Sequence, residues 1–499
     1  LSRSELAQFA ASAMRSPALI ESTCLDAQVE EIYGGISKWG EIGGRRIMKN
    51  RENFLDVLKH SEIEKLLPQG VCAGTASQAV KPGGAVRADD MEFGFATGIE
   101  CSNPSIGGEN GQRIRRDLLD ECGHYKYWSK DLQLVKEMNI PFLRYGLPNH
   151  RIHLGPDRYD WSFADETLAE IKRLGIIPIL DLLHFGVPDW MGDFQNPEMP
   201  VHFARYAGAV AERYPWVRAY TPVNEIYVAA RNSGLDGIWN ERLRTERGFV
   251  TALKHLVAAN LLATAAIARH RPNAIIITSE SAEYTHHVSV APAHEIKLRN
   301  KLVFVSLDLL YSKAPDADVL MFLQDNGMTR DEFMWFMKTS PSGFQIMGND
   351  YYGHNEKIVL PDGTVTFGED VLGWYLITQR YYHRYYKPVM HTETNHFNPD
   401  AAPGWLWKQW VNVLRMRRDG VPVLGFTWYS LGDQMDWDTQ LAQKNGRVNA
   451  CGLFDMERKP RPVAAAYRKL IEEFASITAL AHGEMFEVTD RDAVPRLEI

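Results

Sequence analysis

From residue 91 onward, short apolar runs of strand character alternate with longer amphipathic stretches, and this alternation leaves few architectures open. Eight runs recur, at 93–100, 142–147, 177–183, 219–224, 275–279, 346–351, 388–392 and 423–429. Between them, stretches such as 126–138, 164–174, 201–214, 251–269 and 405–418 carry apolar residues three and four apart, the spacing of a helix that buries one stripe. Strand and helix in strict alternation imply a parallel sheet, because parallel neighbours need a crossover between them. Two open α/β domains share that pattern. No run is followed by G-x-G-x-x-G or a P-loop, so nothing supports nucleotide binding. Two runs end in an acid: Arg218 to Glu225, and Lys387 to Glu393. A (β/α)8 barrel delivers chemistry to its C-terminal mouth in this way. The predicted fold is therefore an α/β TIM barrel over residues 91–475, preceded by a helical extension and linker at 1–90 and followed by a tail at 476–499.

A pair of strand-end carboxylates suits cleavage of a glycosidic bond. One acid protonates the leaving oxygen, and one carboxylate stabilises or attacks the anomeric carbon. The competing reading for either residue is a strand-end salt bridge.

Local motifs carry a resemblance. Phe93-Gly-Phe-Ala-Thr97, His184 in Leu-Leu-His-Phe-Gly-Val-Pro, Thr221-Pro-Val-Asn-Glu225, Gly348-Asn-Asp-Tyr-Tyr352, Thr392-Glu-Thr-Asn395 and Trp428-Tyr-Ser-Leu-Gly-Asp-Gln-Met-Asp-Trp437 occur in order. Together they resemble glycoside hydrolase family 1, the β-glucosidase-like retaining enzymes on a TIM barrel. The resemblance implies that Glu225 is the general acid/base and Glu393 the nucleophile. It also implies that Arg144 keeps Glu393 charged and that ionised Glu393 raises the proton affinity of Glu225. Asn224 is expected at the sugar 2-hydroxyl, His184 at the 3-hydroxyl, Tyr352 against the nucleophile and Trp428 as the aromatic floor, with Asp436 and Trp437 also at the sugar. Structural packing is the competing role for Arg144, His184, Trp428 and Trp437.

Departures from the family pattern concern the sugar. The usual Gln after Phe-Ala-Thr is missing from Gly98-Ile-Glu-Cys-Ser-Asn-Pro104, which leaves Glu100 or Asn103 for that role. Asp436 replaces Glu, Asp350 replaces Asn and Ile226 replaces Pro. The reaction class is unchanged, and glucose is the expected glycone, ahead of galactose, fucose or a modified sugar. Phe185, Trp190, Phe194, Tyr227, Trp239, Trp335, Phe336 and Phe397 lie in loop regions that could form an apolar site for a phenolic aglycone. Arg231, Arg242, Arg244 and His286 or His287 could meet an aglycone carboxylate, or else form a solvated charged face.

The remaining features narrow the partners to a small glycoside. The 63 acidic residues exceed the 55 basic ones for a net charge of -8, which disfavours a phosphate backbone. Five cysteines, Cys24, Cys72, Cys101, Cys122 and Cys451, show no C-x-x-C spacing, so neither a disulfide scaffold nor a zinc ribbon is expected. His286-His287 and His294-Glu295 match no metal-site spacing, and no metal or cofactor is expected. The charged N-terminus and the absence of an 18-residue apolar run point to a soluble, cytoplasmic protein without a membrane partner. In the extension, periodicity over 52–67 aligns Phe54, Leu55, Leu58, Ile63, Leu66 and Leu67, a stripe that fits the barrel or a second subunit. Two further functions share these features: an inert barrel that binds sugar or protein, and a transglycosidase.

Overall fold

The computed structural model describes residues 53–61, 93–108, 110–288, 293–368 and 370–474. Eight parallel strands form the centre: β1 (Gly94–Ile99), β2 (Phe142–Gly146), β3 (Ile177–Asp181), β4 (Ala219–Thr221), β5 (Ile275–Ile277), β6 (Phe344–Asp350), β7 (Val389–Glu393) and β8 (Val423–Trp428). Each pairs with its sequence neighbour, and β8 returns to β1 through Gly94 opposite Gly425 and Thr97 opposite Trp428. The sheet is thereby closed, as predicted, with helices outside it. Open α/β halves are excluded.

Alternation along the strands fills the barrel interior. Ala96, Ile179, Ala219, Ile277, Ile346, Met390 and Leu424 make one buried cluster, with Phe142, Ile275 and Phe344 against it. Every strand contributes at least one of these residues, so the interior is a packed core and not a pore. The C-terminal strand ends are left to carry polar groups.

Strand ends depart from expectation where the backbone cannot continue its ladder. The run predicted over 219–224 is a strand only to Thr221. Pro222 lacks an N–H to donate, and pairing resumes only as a bridge from Asn224 to Ser279. The chain then turns at Glu225, whose φ of 40° is left-handed, directly into the helix Ile226–Gly234.

The helix Glu246–His270 is long and apolar enough to cross a bilayer by composition, yet 94% of its most apolar window is buried in the protein. It is a core helix, started by Thr245, whose hydroxyl accepts from the Gly248 N–H at 3.0 Å. Within the expected extension, the helix Phe54–His60 falls among the described residues. Asn53 caps it, and Phe54 is fully buried against His255, Trp335 and Phe336 at centroid distances of 6.0, 5.4 and 5.7 Å. The rest of 1–90, the periodic stretch at 5–14 included, and the tail at 476–499 lie outside the described residues. Among the described residues Cys101, Cys122 and Cys451 are free thiols.

Candidate active site

The strand ends converge on an open cleft of about 730 Å³. Both acids singled out from sequence line it: Glu393 closes β7, and Glu225 sits four residues beyond β4. Glu100, His184, Tyr352 and Trp437 line the same cleft.

Glu393 is clamped from two sides. One oxygen pairs with an Arg144 guanidinium nitrogen, and the other accepts from the Tyr352 hydroxyl at 2.7 Å. Arg144, on β2, is almost wholly buried, and its second terminal nitrogen donates to Asp181 Oδ2 at 2.8 Å and to Asn224 Oδ1 at 2.5 Å. Burial alone would lower its pKa, but the charges of Asp181 and Glu393 outweigh that and raise it, so the guanidinium is a fixed cation.

The network continues to the sugar-binding candidates. The Asn224 amide nitrogen lies 2.9 Å from His184 Nε2, and His184 Nδ1 lies 2.8 Å from Asp181 Oδ2. Because Arg144 holds the Asn224 oxygen, the amide must present its N–H₂ to His184. Nε2 is therefore the acceptor, and Nδ1 carries the proton to Asp181. Burial acts to lower the His184 pKa, while the charge and hydrogen bond of Asp181 raise it overall.

Glu225 has a contrasting setting. Its carboxyl accepts no hydrogen bond among the described residues. Burial, then the negative charges of Asp350, Glu393, Glu280 and Glu283, push its pKa well above the ordinary carboxylate value. Asp350 is raised in the same direction, by burial and by Glu393, although both its oxygens lie 2.8 Å from the Ser279 hydroxyl. A cationic clamp on one acid and a ring of acids around the other give the two glutamates opposite electrostatic settings.

Two sequence expectations need correction. Trp428 does not face the cleft: it is fully buried, and its indole donates to Cys451 O at 3.1 Å. Tyr429, the residue directly after β8, is the aromatic that meets the site residues. The Tyr429 ring lies 5.4 Å from the Arg144 guanidinium, 6.4 Å from the His184 ring and 6.1 Å from Trp437, stacked on the latter two. Asp436 also stays out of the cleft. Its carboxylate is spent on Arg116 at 3.1 Å and on the N–H groups of Asn445, Gly446 and Arg447 at 3.0, 3.2 and 2.9 Å, which tie down the following loop. Of the two candidates for the missing Gln, Glu100 lines the cleft, whereas the Asn103 amide is held by Cys101 O and Asn149.

Asp181, which orients both Arg144 and His184, was missed. It lies inside the predicted run 177–183 and not at its end, so the sequence does not mark it as it marks Glu225 and Glu393; only the observed strand stops at it. Among the expected aglycone residues, Phe185, Trp239 and Phe397 line the cleft. Trp190 packs on His153 and His202, Phe194 and Tyr227 are core, and Trp335 and Phe336 cover Phe54. Arg231 is the one expected rim cation at the cleft, bound to Glu283 at 2.9 Å, and Lys357 binds the same carboxylate at 2.9 Å. His286 is paired with Glu356 instead. Cys101, Asp181 and His184 bring possible ligand atoms within 4.8 Å of one another, but Asp181 and His184 already serve Arg144 and Asn224.

The profile of Glycosyl hydrolase family 1 matches residues 64–306, a span that includes Glu225. A β-glucosidase of Agrobacterium is 22% identical over 419 residues, covering 75% of this chain and 89% of its own. A bifunctional β-D-glucosidase/β-D-fucosidase of Bifidobacterium breve is 26% identical over 180 residues, covering 34% of this chain and 38% of that protein. The solved β-glucosidase of Thermotoga maritima in complex with castanospermine superposes with a TM-score of 0.64 at 18% identity, over 78% of this chain and 99% of its own, and shares the fold.

Proposed function

We infer that this chain, which belongs to glycosyl hydrolase family 1 and is a β-glucosidase-like O-glycosyl hydrolase, cleaves small β-glucosides with retention of configuration through a two-glutamate double displacement. The observation that carries this reading is the opposed settings of Glu393 and Glu225 in one cleft: a carboxylate held by Arg144 and Tyr352, and a carboxyl whose proton is kept by surrounding acids.

In the first step Glu393 attacks the anomeric carbon while Glu225 gives its proton to the departing oxygen. A glycosyl ester and free aglycone result. Glu393 then no longer bears a charge, so one cause of the high Glu225 pKa disappears and Glu225 becomes a better base. It takes a proton from water, the water oxygen bonds to the anomeric carbon, and the ester bond to Glu393 breaks. Asn224, its oxygen held by Arg144, keeps one amide N–H for a glycone hydroxyl, beside the ring of His184 that Asp181 fixes. Phe185, Trp239, Phe397 and Leu441 favour a flat phenolic aglycone at the open end.

A panel of p-nitrophenyl β-glycosides, followed by proton NMR of the first-formed sugar, tests the reading. Hydrolysis of the β-glucoside with initial release of the β-anomer is expected. Initial α-anomer means inversion, and inertness toward the whole panel favours a binding barrel. A sugar acceptor that diverts product from hydrolysis would identify a transglycosidase.

A further inference from the structure

We propose that the inner end of the cleft is a subsite for a cationic glycone, an amino sugar whose ammonium group seats against Glu100. The proposal rests on the glycosidase reading for the orientation of the sugar and goes beyond it in naming the class of glycone.

Glu100 is 3% exposed and follows directly on β1. One of its oxygens accepts from the Ser102 hydroxyl, and the other, Oε2, is buried with no hydrogen-bond partner among the described residues. A buried carboxylate oxygen without a partner is costly, and the cost is lifted when a bound molecule brings a donor. Nearby protein groups do not supply one. The terminal nitrogens of Arg144 are committed to Glu393, Asp181 and Asn224. His184 Nε2 is 3.8 Å from Glu100 Oε1, and that nitrogen already accepts from Asn224, so it presents no proton to Glu100.

The surrounding charge selects the kind of donor. Asp181 and Glu393 add their negative charge at Glu100, the Arg144 guanidinium is shared between those two acids, and the cleft-lining cations Arg231 and Lys357 are held by Glu283. Burial, opposed by His184 and Ser102, raises the Glu100 pKa to about 7, with Glu393 and Asp181 adding to the rise. An ammonium group relieves this crowding of acids and makes a charge-assisted hydrogen bond, whereas a hydroxyl makes only the weaker bond and an anionic glycone is repelled.

The test compares p-nitrophenyl β-glucoside with its 3-amino-3-deoxy, 4-amino-4-deoxy and 6-amino-6-deoxy analogues on wild type, Glu100→Gln and Glu100→Asp at pH 7. At least one analogue is expected to exceed the parent in kcat/KM by about tenfold. The preference should fall below about twofold in Glu100→Gln and return in part in Glu100→Asp. No preference for any analogue in the wild type overturns the proposal without reference to a variant, and so does a preference that survives in Glu100→Gln. Should the wild type hydrolyse none of the four, the glycosidase reading fails. Calorimetric binding of the corresponding methyl β-glycosides to wild type and Glu100→Gln then decides the subsite by the same criteria.

Discussion

At the residue scale, function depends on keeping two similar side chains in different protonation states. Glu225→Gln and Glu393→Gln are each expected to lower kcat by about 10²-fold or more. Azide should restore turnover of an activated aryl glucoside in the first alone, because there the nucleophile survives and no base is needed; steady-state assays with and without azide check this. Loss of activity with rising pH reports the Glu225 proton, which the enzyme must hold to act as acid. Since burial and neighbouring acids raise that pKa, the alkaline limb of kcat/KM should lie well above the ordinary carboxylate range. Removing the Asp350 charge in Asp350→Asn should move it to lower pH, and an unmoved limb would separate the two groups. Both glutamates were legible because each ends an apolar run within a recognisable motif. Tyr429 was not, because Trp428 beside it is the larger aromatic and only the folded contacts tell which of the two rings meets His184 and Trp437. Asp436 misled for another reason: a motif places its backbone, but the carboxylate is claimed by Arg116 and three loop N–H groups that lie far off in sequence or carry no sequence signal.

At the scale of elements, periodicity gave all eight strands in order, while their ends were set by events that periodicity does not encode. The early end of β4 follows from Pro222, and the Glu225 turn converts a strand direction into a helix start. That helix, Ile226–Gly234, packs so closely on Glu246–His270 that a Cβ at Gly234 would lie 2.4 Å from the Gly248 carbonyl carbon. Backbone lies against backbone there, and neither side can rotate away. Gly234→Ala should therefore destabilise the fold by about 1–3 kcal/mol, read as a lower denaturant midpoint with an unchanged slope. A wild-type midpoint would show that the two helices can separate at no cost.

At the scale of the whole molecule, a closed barrel brings groups as distant in sequence as Glu100 and Glu393 into one cleft. Closure itself was legible from the count and order of the βα units; the charge pattern inside the mouth was not, since it arises from side chains on separate strands brought together only by closure. Within the extension, the 52–67 stripe was partly legible. Phe54 and Leu58 are buried as its periodicity required, and Phe54 lies against Trp335 and Phe336, two residues expected at the aglycone. Phe54→Ala should cost about 3–5 kcal/mol and lower the thermal midpoint without abolishing chemistry at Glu393; an unchanged midpoint would make this helix dispensable. The central claim, that Glu393 forms a covalent bond to the sugar while Glu225 handles protons, has one direct measurement. After incubation with an activated 2-deoxy-2-fluoro-β-glucoside, mass spectrometry of the digested protein should find one fluoroglucosyl group per chain, on the peptide that carries Glu393. A label on any other residue, or turnover that leaves no label at all, would contradict it.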